Sequence, residues 1–213
     1  MRLVCISDTH MLMPDLPNGD VLIHAGDVCA FGTMKEFQRA LAWLTSQPHK
    51  VKLLVAGNHD RVLQTNPILA ESLIPPAITY LRDNAVIVDG VKFYGSPWQP
   101  EFHDWAFNLP RGSQLARVWK NIPDNTDVLI THGPAYGTCD MVEPYLGIRS
   151  GCMDLRDRIL KLPQLQLHIC GHIHEGYGMG YIGSVPSYNV SHQRFDSRPH
   201  NPAIVIGLPL TEK

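Results

Sequence analysis

The opening stretch Arg2-Leu3-Val4-Cys5-Ile6-Ser7-Asp8-Thr9-His10 decides how the rest of the chain is read. A short apolar run with strand-forming residues stops at two side chains that ligate metals. The pattern returns along the sequence. Val21 to Ile23 leads to Gly26-Asp27, and Val51 to Val55 leads to Gly57-Asn58-His59-Asp60. Val128 to Ile130 leads to Thr131-His132-Gly133, and Leu167 to Ile169 leads to Gly171-His172-Ile173-His174. In open α/β sheets, ligands bind in the crevice beyond the carboxyl ends of the strands. Three Asp, one Asn and five His are therefore predicted to converge on one end of a sheet. Hard oxygens mixed with imidazoles suit one or two divalent first-row metals.

Composition narrows the class. A chain of 213 residues fits one domain, residues 1–213, and is long enough to bury a large core. The formal net charge of −2 gives no reason to expect a nucleic-acid polymer or an anionic membrane as partner. Seventeen Pro and seventeen Gly imply many tight connections, as on a loop-rich active-site face. Cysteines 5, 29, 139, 152 and 170 form no CxxC pair, and their odd count and mostly apolar neighbours read as reduced thiols in the cytoplasm. No apolar run approaches the ~20 residues of a membrane span, and the sequence opens on a strand at Arg2 with no charged n-region followed by a long apolar h-region. The expectation is a soluble, unsecreted protein.

Periodicity outlines the rest. Phe37, Leu41 and Leu44 predict a helix over Lys35 to Gln47, with Thr33 as cap and Pro48 as stop. Further helices are predicted over Ser113 to Ile122 and over Cys152 to Leu162. A turn-rich middle separates two halves. Asp89-Gly90 between apolar alternations predicts a hairpin, and Ser187 to Ile206 reads as β-rich. Asp20-Val21-Leu22-Ile23-His24 is echoed by Asp127-Val128-Leu129-Ile130-Thr131, as if one strand-to-site geometry were used twice. The fold class that follows is α/β (α+β), with two packed sheets flanked by helices.

Spacing suggests how the ligands group. Side chains two apart in an extended segment point the same way, so Asp8 with His10, and His172 with His174, can each share an ion. Gly26 lets the backbone approach closely and leaves Asp27 free to bridge. Two divalent ions carry +4 against −2 from Asp8 and Asp27. The residue of positive charge would attract a phosphate and lower the pKa of a bridging water, the nucleophile of an in-line displacement.

The order of motifs, DxH, GD, GNHD, THG and GHxH, resembles the calcineurin-like metallophosphoesterase superfamily over Asp8 to His174. Gly95-Ser96-Pro97-Trp98, Trp105-Ala106-Phe107-Asn108-Leu109-Pro110-Arg111-Gly112 and the run from Gly171 to Gly178 resemble its small metallophosphoesterase-domain (MPPED) branch. The resemblance implies a four-layer sandwich of two mixed sheets between helices. It implies that Asp8, His10, Asp27 and His174 hold one ion, and that Asp27, Asn58, His132 and His172 hold the second. His59 is implied to be a general acid that is not a ligand. Mixed N and O ligation admits Mn, Fe, Co, Ni or Zn, with two manganese ions as the working expectation.

Beyond the ligands, His59 is expected to point away from Asn58 and to be oriented by Asp60. Trp98, Phe102, Trp105 and Phe107 form either a stacking wall for a nucleobase or the packing of a long loop. Asn108, Arg111, Arg149, Glu175 and Tyr177 are candidate substrate contacts. His24 and His168 read as satisfied core histidines. The favoured function is a phosphodiesterase for small phosphodiesters such as cyclic nucleotides. A nucleotide-binding scaffold and a phosphomonoesterase or phosphoprotein phosphatase are the alternatives.

Overall fold

The structure, a computed structural model, describes residues 1–143, 146–194 and 198–209. The first half runs β1 (Arg2–Ile6), β2 (Val21–His24), α1 (Met34–Ser46), β3 (Val51–Leu54), α2 (Arg61–Thr65), α3 (Pro67–Ser72), β4 (Thr79–Tyr80), β5 (Asn84–Val88) and β6 (Val91–Ser96). It continues through β7 (Gln99–Pro100), β8 (Asn108–Leu109), α4 (Ser113–Trp119), β9 (Val128–Thr131), β10 (Met141–Glu143), β11 (Ile148–Arg149) and α5 (Met153–Ile159). β12 (Leu167–Cys170), a 3₁₀ turn at His174–Gly176, β13 (Gly178–Ile182), β14 (Val185–Asn189) and β15 (Ile204–Gly207) complete it.

Two mixed sheets dominate. One has the order β15-β1-β2-β3-β4 and the other β13-β14-β12-β9-β6-β5. Alternation along each strand explains the layering. Leu3, Cys5, Val21 and Ile23 face inward onto Phe93, Val128, Ile130 and Ile169 of the opposite sheet. Val4, Ile6 and Leu22 face outward onto Phe37, Leu41 and Leu44 of α1 and onto Leu63 of α2. On the far side, Tyr94, Leu129 and Ile182 pack on Leu115 and Trp119 of α4 and on Leu155 and Ile159 of α5. Three apolar layers thus separate four layers of structure. A strand buried on both faces reads as a continuous apolar run, which is why each run could be seen in the sequence.

The α1 helix begins with a capping box, Thr33 accepting from the Glu36 amide while the Glu36 side chain accepts from the amide of Thr33. The hairpin turn falls at Asp89 and Gly90, both at positive φ (47° and 81°), as a primed turn requires. The two echoed segments are β2 and β9, each with strand neighbours on both sides in its own sheet. Two expected helices are shorter than read. They stop at Trp119 and Ile159, with Lys120 and Leu160 as caps, because the residue ahead of a proline, here Ile122 and Leu162, is pushed out of helical geometry. The turn-rich middle contains α2 and α3, five and six residues long, too short for periodicity to register. Strand β13 also lacked a signal. The β-rich tail reduces to β14 and β15, and part of it, residues 195–197, lies outside the described residues. Among the described residues no helix is long and apolar enough to cross a membrane.

Candidate metal centre

Parallel strands β1, β2 and β3 of one sheet and β9 and β12 of the other end on the same rim. The backbone there is not extended. Asp8, His10, Asp27 and His172 all sit at positive φ, between 42° and 68°, a region rarely used by residues with side chains and concentrated at functional sites. The turns re-aim the side chains. Asp8, His10 and His174 converge as one group, and Asp27, His132 and His172 as another. An extended backbone would let His172 and His174 share one ion. The structure separates them, because His172 at φ 68° is not extended and alternation no longer applies.

The two groups meet at one atom. Asp27 Oδ2 lies 3.8 Å from His10 Nε2 and 3.4 Å from His132 Nε2. Asn58 Oδ1 is 2.9 Å from His132 Nε2, and Asp8 Oδ1 is 3.4 Å from His174 Nε2. An ion about 2.1 Å from each donor sets neighbouring donors roughly 3.0–3.5 Å apart, so this donor set fits two divalent cations sharing Asp27. Asp27 Oδ1, the other oxygen, accepts from the His59 amide at 2.7 Å.

Hydrogen bonds behind the donors fix their tautomers. A carbonyl only accepts, so Nδ1 of His132 donates to Ala25 and Nδ1 of His10 donates to Cys29. In both, Nε2 is left for the centre. Burial disfavours a charged His132, yet the facing Asp27 carboxylate outweighs burial and pushes its pKa up to about 9. Burial likewise opposes charge on Asp8 and Asp27, and the surrounding histidines override it, holding both well below the usual carboxylate range. His172 has fewer favourable partners, and burial carries it down to about 3, neutral and ready to ligate.

The motif glycines are required by crowding. A Cβ on Gly57 would stand 2.2 Å from Asp27 Oδ1, and one on Gly171 would stand 2.1 Å from Ser7 Oγ and 2.3 Å from Asp8 Oδ2. Each leaves the space a ligand carboxylate occupies.

The remaining candidates divide. His59 donates from Nδ1 to the Ala30 carbonyl at 2.6 Å and stacks on Trp105 at 4.0 Å. Asp60 does not orient it. Its buried carboxylate instead accepts from the amides of Asp27, Cys29 and Gly57, tying the loop after β2 to the loop after β3. Burial, then the nearby Asp27 charge, raise its pKa to about 6. A cleft of about 440 Å³ opens on Asp27, Asn58, His59, His172 and His174, walled by Phe102, Arg111, Glu101 and Glu175. Arg111 and Glu175 are therefore at the site. Trp98 is not, since its indole N–H donates to Asp83 and its ring packs on Phe107. Asn108 holds the carbonyls of Phe102 and His103, Arg149 pairs with Asp140 at 2.6 Å, and the Tyr177 hydroxyl donates to Pro202. Phe102, half exposed beside His172 with centroids 6.0 Å apart, is the aromatic that reaches the cleft.

Residues 1–176 match the family model of the calcineurin-like phosphoesterases. The chain belongs to the calcineurin-like phosphoesterase family. It is 40% identical to metallophosphoesterase domain-containing protein 1 of Homo sapiens and of Mus musculus, over 98% of this chain and 71% of each relative. It is also 38% identical over 84% of its length to a segment making up 17% of probable rhamnogalacturonate lyase C from Emericella nidulans. Family and donor set agree on a metal-dependent phosphoesterase, with the two mixed sheets of the calcineurin-like sandwich.

Proposed function

We propose that this calcineurin-like phosphoesterase is a phosphodiesterase acting on small diesters that carry a flat organic group, with cyclic nucleotides as the model substrate. The observation that carries the reading is the single oxygen of Asp27 facing both histidine groups at the floor of a cleft. When bound, two divalent cations supply Lewis acidity toward phosphate and acidify water. The chain's own residues do the rest. His10 and His132 donate from Nδ1 to carbonyls, so Nε2 is the atom each would turn to an ion, and His132 would give up its Nε2 proton on binding one. His59, pinned through Nδ1, keeps Nε2 for the cleft and in its protonated form gives that proton to the departing alkoxide. Water adds to phosphorus and one P–O bond breaks: an acyclic diester gives a monoester and an alcohol, and a cyclic nucleotide opens to a single nucleoside monophosphate.

Selection must come from the part of the substrate that does not react. Phe102 offers a ring face, and stacking on one aromatic is worth roughly 1–3 kcal/mol per base. Glu101 and Glu175 at the cleft wall repel a polyanionic chain, which favours a small diester over a nucleic-acid polymer. Five free cysteines suit a reducing cytoplasm.

The test is metal-stripped protein reloaded with Mn²⁺, Fe²⁺, Co²⁺, Ni²⁺ or Zn²⁺ singly and assayed on cyclic nucleotides, nucleotides and aryl mono- and diesters. Diester hydrolysis with manganese the leading metal is expected, with nucleoside monophosphate as inhibitor. Phe102→Ala should weaken that inhibition by about ten- to hundredfold while sparing a small aryl diester. Turnover confined to monoesters, or nucleotide binding without turnover, would reject the diesterase in favour of a phosphomonoesterase or a nucleotide-binding scaffold.

A further inference from the structure

The match to the family ends at residue 176, yet part of what holds the metal centre lies beyond it. After β14 the chain crosses from one sheet to the other. The Val190 amide donates to Cys170 in the second sheet, and its carbonyl accepts from Ser7 at the end of β1 in the first. Ser191 then bridges Ser7 in parallel register, the His192 amide donates to Ser7, and the Gln193 amide donates to the carbonyl of Asp8.

Two side chains of this crossing grip the ligand loops. The Ser191 hydroxyl donates to Asp8 Oδ2 at 2.7 Å, and the residue is fully buried. Asp8 Oδ2 also accepts from the Ser7 hydroxyl, and the His172 amide is shared between Oδ2 at 3.0 Å and Oδ1 at 3.1 Å. With Oδ2 so held, Oδ1 is the oxygen turned to His174 Nε2. Asn189, equally buried, donates from Nδ2 to the carbonyls of Gly171 and Ile173, which flank His172, and to Cys139. Its Oδ1 accepts from the Ser191 amide, coupling the two grips.

We propose that residues 189–193 are a positioning element of the metal centre: Ser191 selects which oxygen Asp8 presents, and Asn189 sets the loop that carries His172 and His174. Asp8 has a particular need of it, because its backbone is held at φ 52° and a strained residue persists only where its surroundings over-determine it. The inference rests on the metal-dependent reading, but its test needs no substrate.

Metal-free protein is titrated with Mn²⁺ against a competing chelator, with melting temperature followed in parallel. Ser191→Ala should hold the ion on the Asp8 side about 10–100-fold more weakly, the usual cost of losing a partner behind a metal ligand. It then retains one ion under conditions where the unaltered protein retains two. Ser191→Thr keeps the hydroxyl while adding a methyl to a buried position, and should keep the affinity even at a lower melting temperature. Unchanged affinity in Ser191→Ala overturns the proposal. So does affinity that falls in both variants along with melting temperature, which would make the contact packing alone. If the unaltered protein binds no divalent ion, the metal-dependent reading itself fails and takes this one with it.

Discussion

At the scale of single residues, His59 is held by everything except the atom it would use. Its amide donates to Asp27, its Nδ1 to Ala30, its face lies on Trp105, and its edge meets the His10 ring at 4.6 Å. His59→Ala is expected to keep its metals and lose turnover by about 10²–10⁴-fold, the range for a missing general acid. Trp105→Ala should produce a smaller loss of the same kind, and Trp105→Phe should restore most of it. For both, the loss should shrink on a nitrophenyl diester, whose leaving group needs little protonation. Equal losses in kcat on good and poor leaving groups would remove His59 from that role. The motifs point to the donors that the structure brings together and to His59 beside them. Asp60 reads as the partner of its neighbour His59, whereas two of the three amides that occupy it, those of Asp27 and Cys29, are more than thirty positions away. Trp98 and Trp105 look alike in sequence, and only three-dimensional packing sends one to Asp83 and the other to His59.

Among the elements, β12 carries a side-chain staple. His168 lies between Thr131 at the end of β9 and Ser187 in β14, at 2.9 and 2.7 Å. Thr131 gives its only hydroxyl proton to the Gly133 carbonyl. His168 Nε2 must therefore donate to Thr131, and Nδ1 accepts from Ser187. The staple needs a neutral ring, and burial lowers its pKa from the ordinary 6.5 to about 3. The sign follows from linkage. A histidine depressed in the folded state stabilises fully above pH 6.5, and that contribution is lost as pH falls toward 3 because the unfolded chain takes the proton first. His168→Gln is expected to flatten the fall of unfolding free energy across that window by up to about 1.4 kcal/mol per pH unit, measured by denaturant titration at several pH values. An unchanged slope would mean that the ring is not neutral in the fold. The sequence exposed His168 as a core residue through its apolar neighbours. It could not expose its two partners, which depend on the strand order β14-β12-β9. Short elements such as α2 and α3 were hidden for a simpler reason, having fewer turns than a period needs.

For the molecule as a whole, the donors are divided between sheets. Asp8, His10, Asp27 and Asn58 follow strands of one, and His132, His172 and His174 follow strands of the other. Bound cations would therefore tie the sheets together at one rim, adding to the hydrogen bonds that already cross there from His132 to Ala25 and from the His172 amide to Asp8. Each ion at about 100 times its Kd stabilises the fold by about 2.7 kcal/mol. In a chain of this size that corresponds to roughly 5–10 °C in Tm. Thermal melts with excess chelator and with added metal should differ by that amount per ion, and identical melts would argue against ligation across the sheets.

That division also fixes when the chemistry can begin. A ribosome releases the chain from its amino end, and Asp8, His10, Asp27 and Asn58 emerge long before His132. Neither the Asp8–His10–His174 group nor the Asp27–His132–His172 group is whole until His174 and His172 have followed. The growing polypeptide thus carries two donors of the first group and one of the second in a form that cannot yet act, and hydrolytic competence waits for His172 and His174.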